Sequence, residues 1–313
     1  MSRVIESDVL KMISQRIRTD DARVLLGPGD DLAHVAVDGN SLLAGVDQVI
    51  DGLHVLADRV SWDRIGIKAV HRAVSDIAAM AGEPLATLAS VVLPAGATES
   101  DVDALCRGLH EAASKCRAPL VGGDVAIHRH DEHPLCVSVT VLATPVAPGP
   151  VHRSGACVGD LLVVTGVLGG SLLANGDGPH LDFIPRVPEA IWLHSHYGDH
   201  LHAMIDISDG LGRDTGRLAE ASGLVAVIEA ALIPCRGTAS VEHALRDGED
   251  YELLMAISPE CEIVPRIPVA QGCPLRVIGR FEQGDDDTHP RVRLIGPGGD
   301  ERDATTFGWD HGS

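Results

Sequence analysis

Apolar residues in this chain recur at two spacings, and the changes between them mark out strands and helices. Ser7 precedes a stretch, 8–17, in which Val9, Leu10, Ile13 and Ile17 share one side of a helix. Runs at 34–37 and 42–46 flank Asp38-Gly39-Asn40 and predict a hairpin. Ser61 opens a long helical stretch that Gly82 and Pro84 stop. Residues 87–93 read as a buried strand. Thr98 and Asp101 form a capping-box pattern that starts a helix to about Cys116. Leu120-Val121 leads into Gly122-Gly123, and 136–143 is β-rich.

At 144–150, prolines and a glycine break all regular structure, so two domains are expected, 1–147 and 148–313. The second half predicts a strand at 161–165 and a glycine turn at 166–170. A helix at 188–200, a strand at 204–207 and a helix at 211–221 follow. Further strands fit 225–228, 253–257, 275–278 and 292–295. Both halves mix the two element types, so the fold class is α/β or α+β.

Composition narrows the function. Of 313 residues 45% are hydrophobic but only 3% aromatic, so the core is built from Val, Leu, Ile and Ala. The net charge of −20 argues against nucleic-acid and anionic-membrane partners, which need a basic surface. A polyphosphate substrate would be repelled unless divalent cations intervene. Seven scattered cysteines without a C-x-x-C pair read as reduced thiols in a cytoplasmic protein. No signal peptide and no apolar run of about 18 residues is present.

Candidate chemistry lies in short segments that set carboxylates beside glycine or serine: Gly27-Pro28-Gly29-Asp30-Asp31, Val46-Asp47, Ser75-Asp76, Gly122-Gly123-Asp124, Asp206-Ile207-Ser208-Asp209-Gly210, Arg213-Asp214 and Gly248-Glu249-Asp250. Such oxygen donors suit hard cations, and magnesium in turn suits phosphate chemistry. In the helix after Ser61, Ile65, Ala69, Ala73, Ile77 and Met80 form one stripe. Asp76 falls inside it, within about 20° of Ile65. It is either a metal ligand or the ion-pair partner of Arg72, one turn earlier. Asp47 ends an apolar run and either faces a site or caps a turn. Asp206 and Ser208 share a face of an extended chain. Asp209 either serves a site or caps the next helix. Gly248-Glu249-Asp250 is otherwise an ordinary turn. His194, His196, His200 and His202, and likewise His128, His130 and His133, read as surface histidines rather than zinc ligands, and Asp285-Asp286-Asp287 as a solvated turn. No Walker lysine motif, kinase signature or nucleophile elbow is present.

The order of these words resembles the thiamine-monophosphate kinase family, within the aminoimidazole-ribonucleotide synthetase-like superfamily. The resemblance rests on Gly-Pro-Gly-Asp-Asp, Val46-Asp47 with His54, Ser75-Asp76-Ile77-Ala78-Ala79-Met80 and Gly122-Gly123-Asp124. It continues through Arg153-Ser154-Gly155, Val164-Thr165-Gly166, Ile205-Asp206-Ile207-Ser208-Asp209-Gly210-Leu211, Gly248-Glu249-Asp250-Tyr251-Glu252-Leu253 and Gly308-Trp309-Asp310-His311. It implies a two-domain fold whose N-terminal α/β domains pair across a dimer β-barrel, with a C-terminal mixed-sheet α/β domain. It implies a magnesium-dependent homodimer that transfers the γ-phosphoryl of ATP to thiamine monophosphate, giving thiamine diphosphate and ADP. By the resemblance, Asp30, Asp47, Asp76, Asp124, Asp206 and Asp209 look like magnesium ligands. Gly123, Asp124, Arg153 and Ser208 look like ATP contacts, and His54, Glu249 and Trp309 like substrate contacts. No dedicated base is expected, because the acceptor already ends in a phosphate. The chain departs from the family where Gly45-Val46 stands in place of a usual Ser-Thr before Asp47, where Val125 replaces a usual Thr, and at Arg246-Asp247 before Gly248. Competing readings are an ATP-dependent synthetase of the same superfamily and a weakly active nucleotide-binding paralogue.

Overall fold

A computed structural model describes residues 21–310 except 131, 270–271 and 285–290, together with isolated positions 8, 9 and 12. The helix expected at 8–17 lies largely outside the described residues, and Asp285-Asp286-Asp287 and His311 wholly so.

Two sheets carry the fold. The first joins β1 (Val24–Leu26), β2 (Ala33–Val37), β3 (Asn40–Ile50), β4 (Gly82–Leu93), β5 (Leu120–Ile127) and β6 (Cys136–Pro145) in the order β1-β2-β3-β6-β4-β5. The second joins β7 (Leu161–Thr165), β8 (Leu201–Asp206), β9 (Leu224–Glu229), β10 (Leu253–Ile257), β12 (Cys273–Gln283), β13 (Val292–Ile295) and β14 (Glu301–Asp303) in the order β14-β13-β9-β12-β7-β10-β8, with β11 (Arg266–Ile267) on β12. Most pairings are antiparallel; β4 with β5 and β9 with β13 are parallel. The architecture is therefore mixed α/β, with α1 (Trp62–Ala79), α2 (Glu99–Lys115), α3 (Val187–Tyr197), α4 (Leu211–Ala221) and α5 (Val241–Arg246). Among the described residues no helix is long and apolar enough to cross a membrane.

Helix α1 is the shared core. It packs on β3 and β6 of the first sheet, on β8 of the second, and on α2 and α3. It is therefore buried on nearly every side, including Lys68, His71 and Ser75. One hydrophobic cluster accordingly runs from Val139 and Val141 of β6 to Met204 of β8 and Met255 of β10, and a second lies on the other face of the second sheet, with Leu162, Ile205 and Leu254.

Local chemistry explains some element ends. Thr98 accepts from the Asp101 backbone and Asp101 returns the bond, completing the expected capping box. Three expectations need correction. Strand β3 runs on to Ile50, so Asp47 lies inside it rather than at its end. Strand β4 begins at Gly82 and accommodates Pro84 where the register with β6 slips. Gly122-Gly123 belongs to β5, not to a loop; a Cβ at Gly123 would stand 1.8 Å from the Ala89 carbonyl oxygen of the neighbouring strand.

Helices α1 and α2 touch main chain to main chain. A Cβ on Gly108 would lie 1.9 Å from the Asp63 carbonyl oxygen. Gly108→Ala is therefore expected to destabilise the protein by about 1–3 kcal/mol in urea unfolding. Unchanged stability would show that this crossing does not fix the position of α1.

Candidate active site

Three carboxylates meet where the two sheets approach each other. Asp31 comes from the loop after β1, Asp76 from the last turn of α1 and Asp206 from the end of β8. One oxygen of each lies within 4.8 Å of the others. Ser75 donates to Asp206 at 2.6 Å. The guanidinium of Arg153 grips Asp31 through Nε at 3.0 Å and Nη2 at 2.6 Å. Asp30 does not enter this cluster: it accepts the Arg153 and Asp31 backbone N–H groups at 3.0 and 2.9 Å and braces it from behind. Burial, and then the nearby Asp31, push Asp206 up to about 8. Burial, then Asp206, Asp47 and Asp31, hold Asp76 well above the carboxylate range. Burial also raises Asp31 despite Arg153. Three crowded oxygen donors that resist ionisation match a hard divalent cation, whose charge would relieve both penalties.

A cavity of about 290 Å³ lies one helical turn away. His54, Arg72, Ser208, Asp209, Glu249 and Trp309 line it, with Leu53, Leu172 and Leu173 supplying apolar wall. Its ionic floor comes from α1. Lys68 is fully buried and donates to Glu249 Oε2 at 2.5 Å, to the His54 carbonyl at 2.8 Å and towards His180 Nδ1 at 2.7 Å. Burial pulls Lys68 down to about 8 against the attraction of Glu249. For Glu249 burial acts upward, but Lys68, His180 and Arg72 together outweigh it and hold the acid well below its usual range. Burial, with Arg72 next, pulls His54 down to about 3. Its Nδ1 accepts the Ile50 N–H at 3.0 Å, so the neutral ring carries its proton on Nε2.

Glu249 sits on a strained strap. Glu249 and Tyr251 both have positive φ, 53° and 50°. The Glu249 and Tyr251 N–H groups bond the Ser208 and Ile207 carbonyls at 2.7 and 2.8 Å. Asp250 accepts the Gly169 N–H and holds Arg236, while Glu252 takes Thr165 and the fork of Arg186. The remaining wall is built by Asp214, which accepts the Ser208 and Asp209 N–H groups at 3.0 and 2.9 Å. Asp209 pairs with Arg217 at 2.5 Å rather than capping α4, whose cap is Gly210. The Trp309 indole N–H reaches the Asp247 carbonyl at 3.1 Å.

Comparison with known proteins fits this arrangement. Residues 29–144 match the family AIR synthase related protein, N-terminal domain, and 184–290 match AIR synthase related protein, C-terminal domain. Thiamine-monophosphate kinase of Rhodopirellula baltica is 37% identical over 253 residues, 77% of this chain and 75% of the relative. The chain belongs to the thiamine-monophosphate kinase family. The thiamine-monophosphate kinase of Mycobacterium tuberculosis is 33% identical over 259 residues, 76% of this chain and 77% of the relative. A solved structure of AaThiL complexed with AMPPCP and TMP superposes with a TM-score of 0.77 at 26% identity, covering 99% of each chain.

The residues expected from the family resemblance distribute unevenly. Asp76, Asp206 and Arg153 meet in the carboxylate centre. His54, Ser208, Asp209, Glu249 and Trp309 line the cavity. Asp47 neither pairs with a turn nor joins the triad: Arg72 holds it, and Arg72 does not pair with Asp76. Gly123 and Asp124 lie on the outer strand β5. There the register aligns Gly123 with Ala89, Val139 and Asp47, and Asp124 with Ser90, Ser138 and Gln48. Because side chains alternate, Asp124 projects from the sheet face opposite to that of Asp47. Lys68 and His180 escaped sequence reasoning, Arg72 entered it only as a partner for Asp76, and Asp31 and Asp214 stood in acidic segments without an assigned role. The signal for two of them was present: Lys68, Arg72 and Asp76 recur every four residues along one otherwise apolar helix.

The histidines also differ from expectation. His194 is buried on the stripe of α3 that contains Ala190, Leu193 and Tyr197. His202 pairs with Asp160 at 2.7 Å beside Cys157, and Asp160 also accepts the Cys157 N–H. His196 and His200 are exposed.

Protons would compete with a divalent cation for the Asp31–Asp76–Asp206 centre. These carboxyls bind protons more tightly folded than unfolded, so metal-free protein should lose stability as pH rises from the ordinary 3.8 towards about 8. The Tm gain on adding magnesium is therefore expected to be larger at pH 8 than at pH 5.5. Asp76→Asn should abolish the gain while raising the Tm of the metal-free protein. Thermal melts check this; a gain independent of pH, or retained in Asp76→Asn, contradicts the assignment.

Proposed function

We propose that this protein transfers the γ-phosphoryl group of ATP to thiamine monophosphate, forming thiamine diphosphate and ADP. The observation that carries the reading is a single cavity gathering His54, Glu249 and Trp309 next to the Asp31–Asp76–Asp206 carboxylates, in a chain of this family. The likeness to AaThiL complexed with AMPPCP and TMP supports it.

Asp31, Asp76 and Asp206 would hold magnesium, which when bound neutralises and aligns phosphate oxygens. The chain's own residues supply the rest. Trp309, 45% exposed at the cavity mouth, offers an aromatic face to the cationic thiazolium, an attraction of about 1 kcal/mol or more. Glu249, kept ionised by Lys68 and Arg72, adds a negative partner for the same cation. Neutral His54 lines the same cavity. An oxygen of the substrate phosphate attacks the γ-phosphorus while the bond to the ADP oxygen breaks. That oxygen carries no proton that must first be removed, so no general base is required. Arg153, anchored by Asp31, stands ready for nucleotide phosphates.

The enzyme is read as a cytoplasmic homodimer. All seven cysteines are free thiols. Strand β5 is an outer strand that exposes Val121, Val125 and Ile127, an edge that pairing with a second copy would cover. Such pairing would also give Gly123 and Asp124 a route into a site, across the interface.

Purified protein given ATP, magnesium and thiamine monophosphate is expected to form thiamine diphosphate. Trp309→Ala should raise KM for thiamine monophosphate by about tenfold and leave KM for ATP within about twofold. Absence of thiamine diphosphate from the wild-type reaction would overturn the reading.

A further inference from the structure

The structure assigns to Arg72 the place that a cation would take at Asp47. The Arg72 fork covers both Asp47 oxygens, through Nε at 2.8 Å and Nη2 at 3.1 Å, while Nη1 reaches Glu249 at 3.0 Å. A guanidinium carries five N–H groups, and these two acids take three of them. Arg72 is 12% exposed, and what it exposes lines the cavity beside His54, Ser208 and Trp309.

The surroundings of Asp47 favour this tethered charge over a metal ion. Gly45 shares the Asp47 face of β3 but has no side chain, and a Cβ there would meet Leu32 Cδ2 at 2.4 Å. The Leu32 side chain, buried at 1% exposure, fills the space that an oxygen-bearing side chain would need. Val46 projects from the other face and is 61% exposed. Asp47 thus has no side-chain oxygen beside it on its strand to complete a coordination shell, whereas Asp31, Asp76 and Asp206 supply three. Charge also balances by pairs: Lys68 answers Glu249, and Arg72 answers Asp47.

Asp47 is accordingly not a divalent-cation ligand in this chain. Arg72 provides a fixed positive charge at the cavity for the phosphate of the acceptor, a role that rests on the phosphoryl-transfer reading. Arginine suits it because its planar fork can hold a carboxylate and still present N–H groups to phosphate oxygens.

Isothermal titration with manganese, without nucleotide, tests the metal half. Asp47→Asn should bind as many ions as wild type. Arg72→Gln should gain one ion, and Arg72→Gln combined with Asp47→Asn should lose it again. An ion lost in Asp47→Asn alone, or none gained in Arg72→Gln, overturns the inference. Should Arg72→Gln fail to fold, the Asp47→Asn count decides alone. Kinetics tests the phosphate half: Arg72→Gln should raise KM for thiamine monophosphate by about tenfold with KM for ATP within about twofold. The reverse pattern overturns it. Failure of the phosphoryl-transfer reading would show instead as no thiamine diphosphate from wild type, which leaves the ion counts untouched.

Discussion

Like charges brought together under partial burial repel, and here folding forces Asp31, Asp76 and Asp206 to within 4.8 Å of one another. Each arrives on a different element, so the three meet only when the two sheets are joined. In a chain of net charge −20 the wider field adds to the cost. Arg153 offsets part of it at Asp31, and Ser75 gives Asp206 one donor, yet the carboxyls still favour the protonated form. A site with that bias suits divalent cations, which would make an anionic protein hospitable to triphosphate.

Helix α1 sets the geometry of everything around this centre. Its file of Lys68, Arg72 and Asp76 places, at one-turn intervals, a buried cation under Glu249, a cation between Glu249 and Asp47, and one acid of the carboxylate centre. The close crossing with α2 fixes the helix from one side, and β8 with its Asp206 fixes it from the other. The strap at 248–251 adds strained backbone against this file and carries the acid that the two cations hold. Cavity and carboxylate centre are thereby tied to one rigid element, which suits a reaction that depends on alignment more than on proton transfer.

Much of this was legible in the sequence wherever the controlling interactions are local. The strands at 161–165, 253–257 and 292–295 and the helix at 211–221 have the bounds that periodicity gave, because alternation and turn residues fix them. The capping box at Thr98 likewise needs only neighbours. Pro84 misled because a register slip in β4 absorbs it, a matter of sheet pairing. The site was readable as a set of acidic words but not as a geometry. Which of the adjacent Asp30 and Asp31 turns inward depends on Arg153, more than 120 positions away. Lys68 looks like any helix lysine until Glu249, 181 positions on, is folded against it. Asp47 reads as a metal ligand by family resemblance, and its capture by Arg72 emerges only once β3 lies along α1.

The metal reading requires one divalent cation among the carboxylates of Asp31, Asp76 and Asp206. Crystals grown with manganese and a non-hydrolysable ATP analogue, measured for anomalous scattering, test it most directly. The account expects a manganese peak within coordination distance of all three side chains, about 2–2.5 Å. Manganese bound only elsewhere, with these three carboxylates lacking an ion, would contradict it.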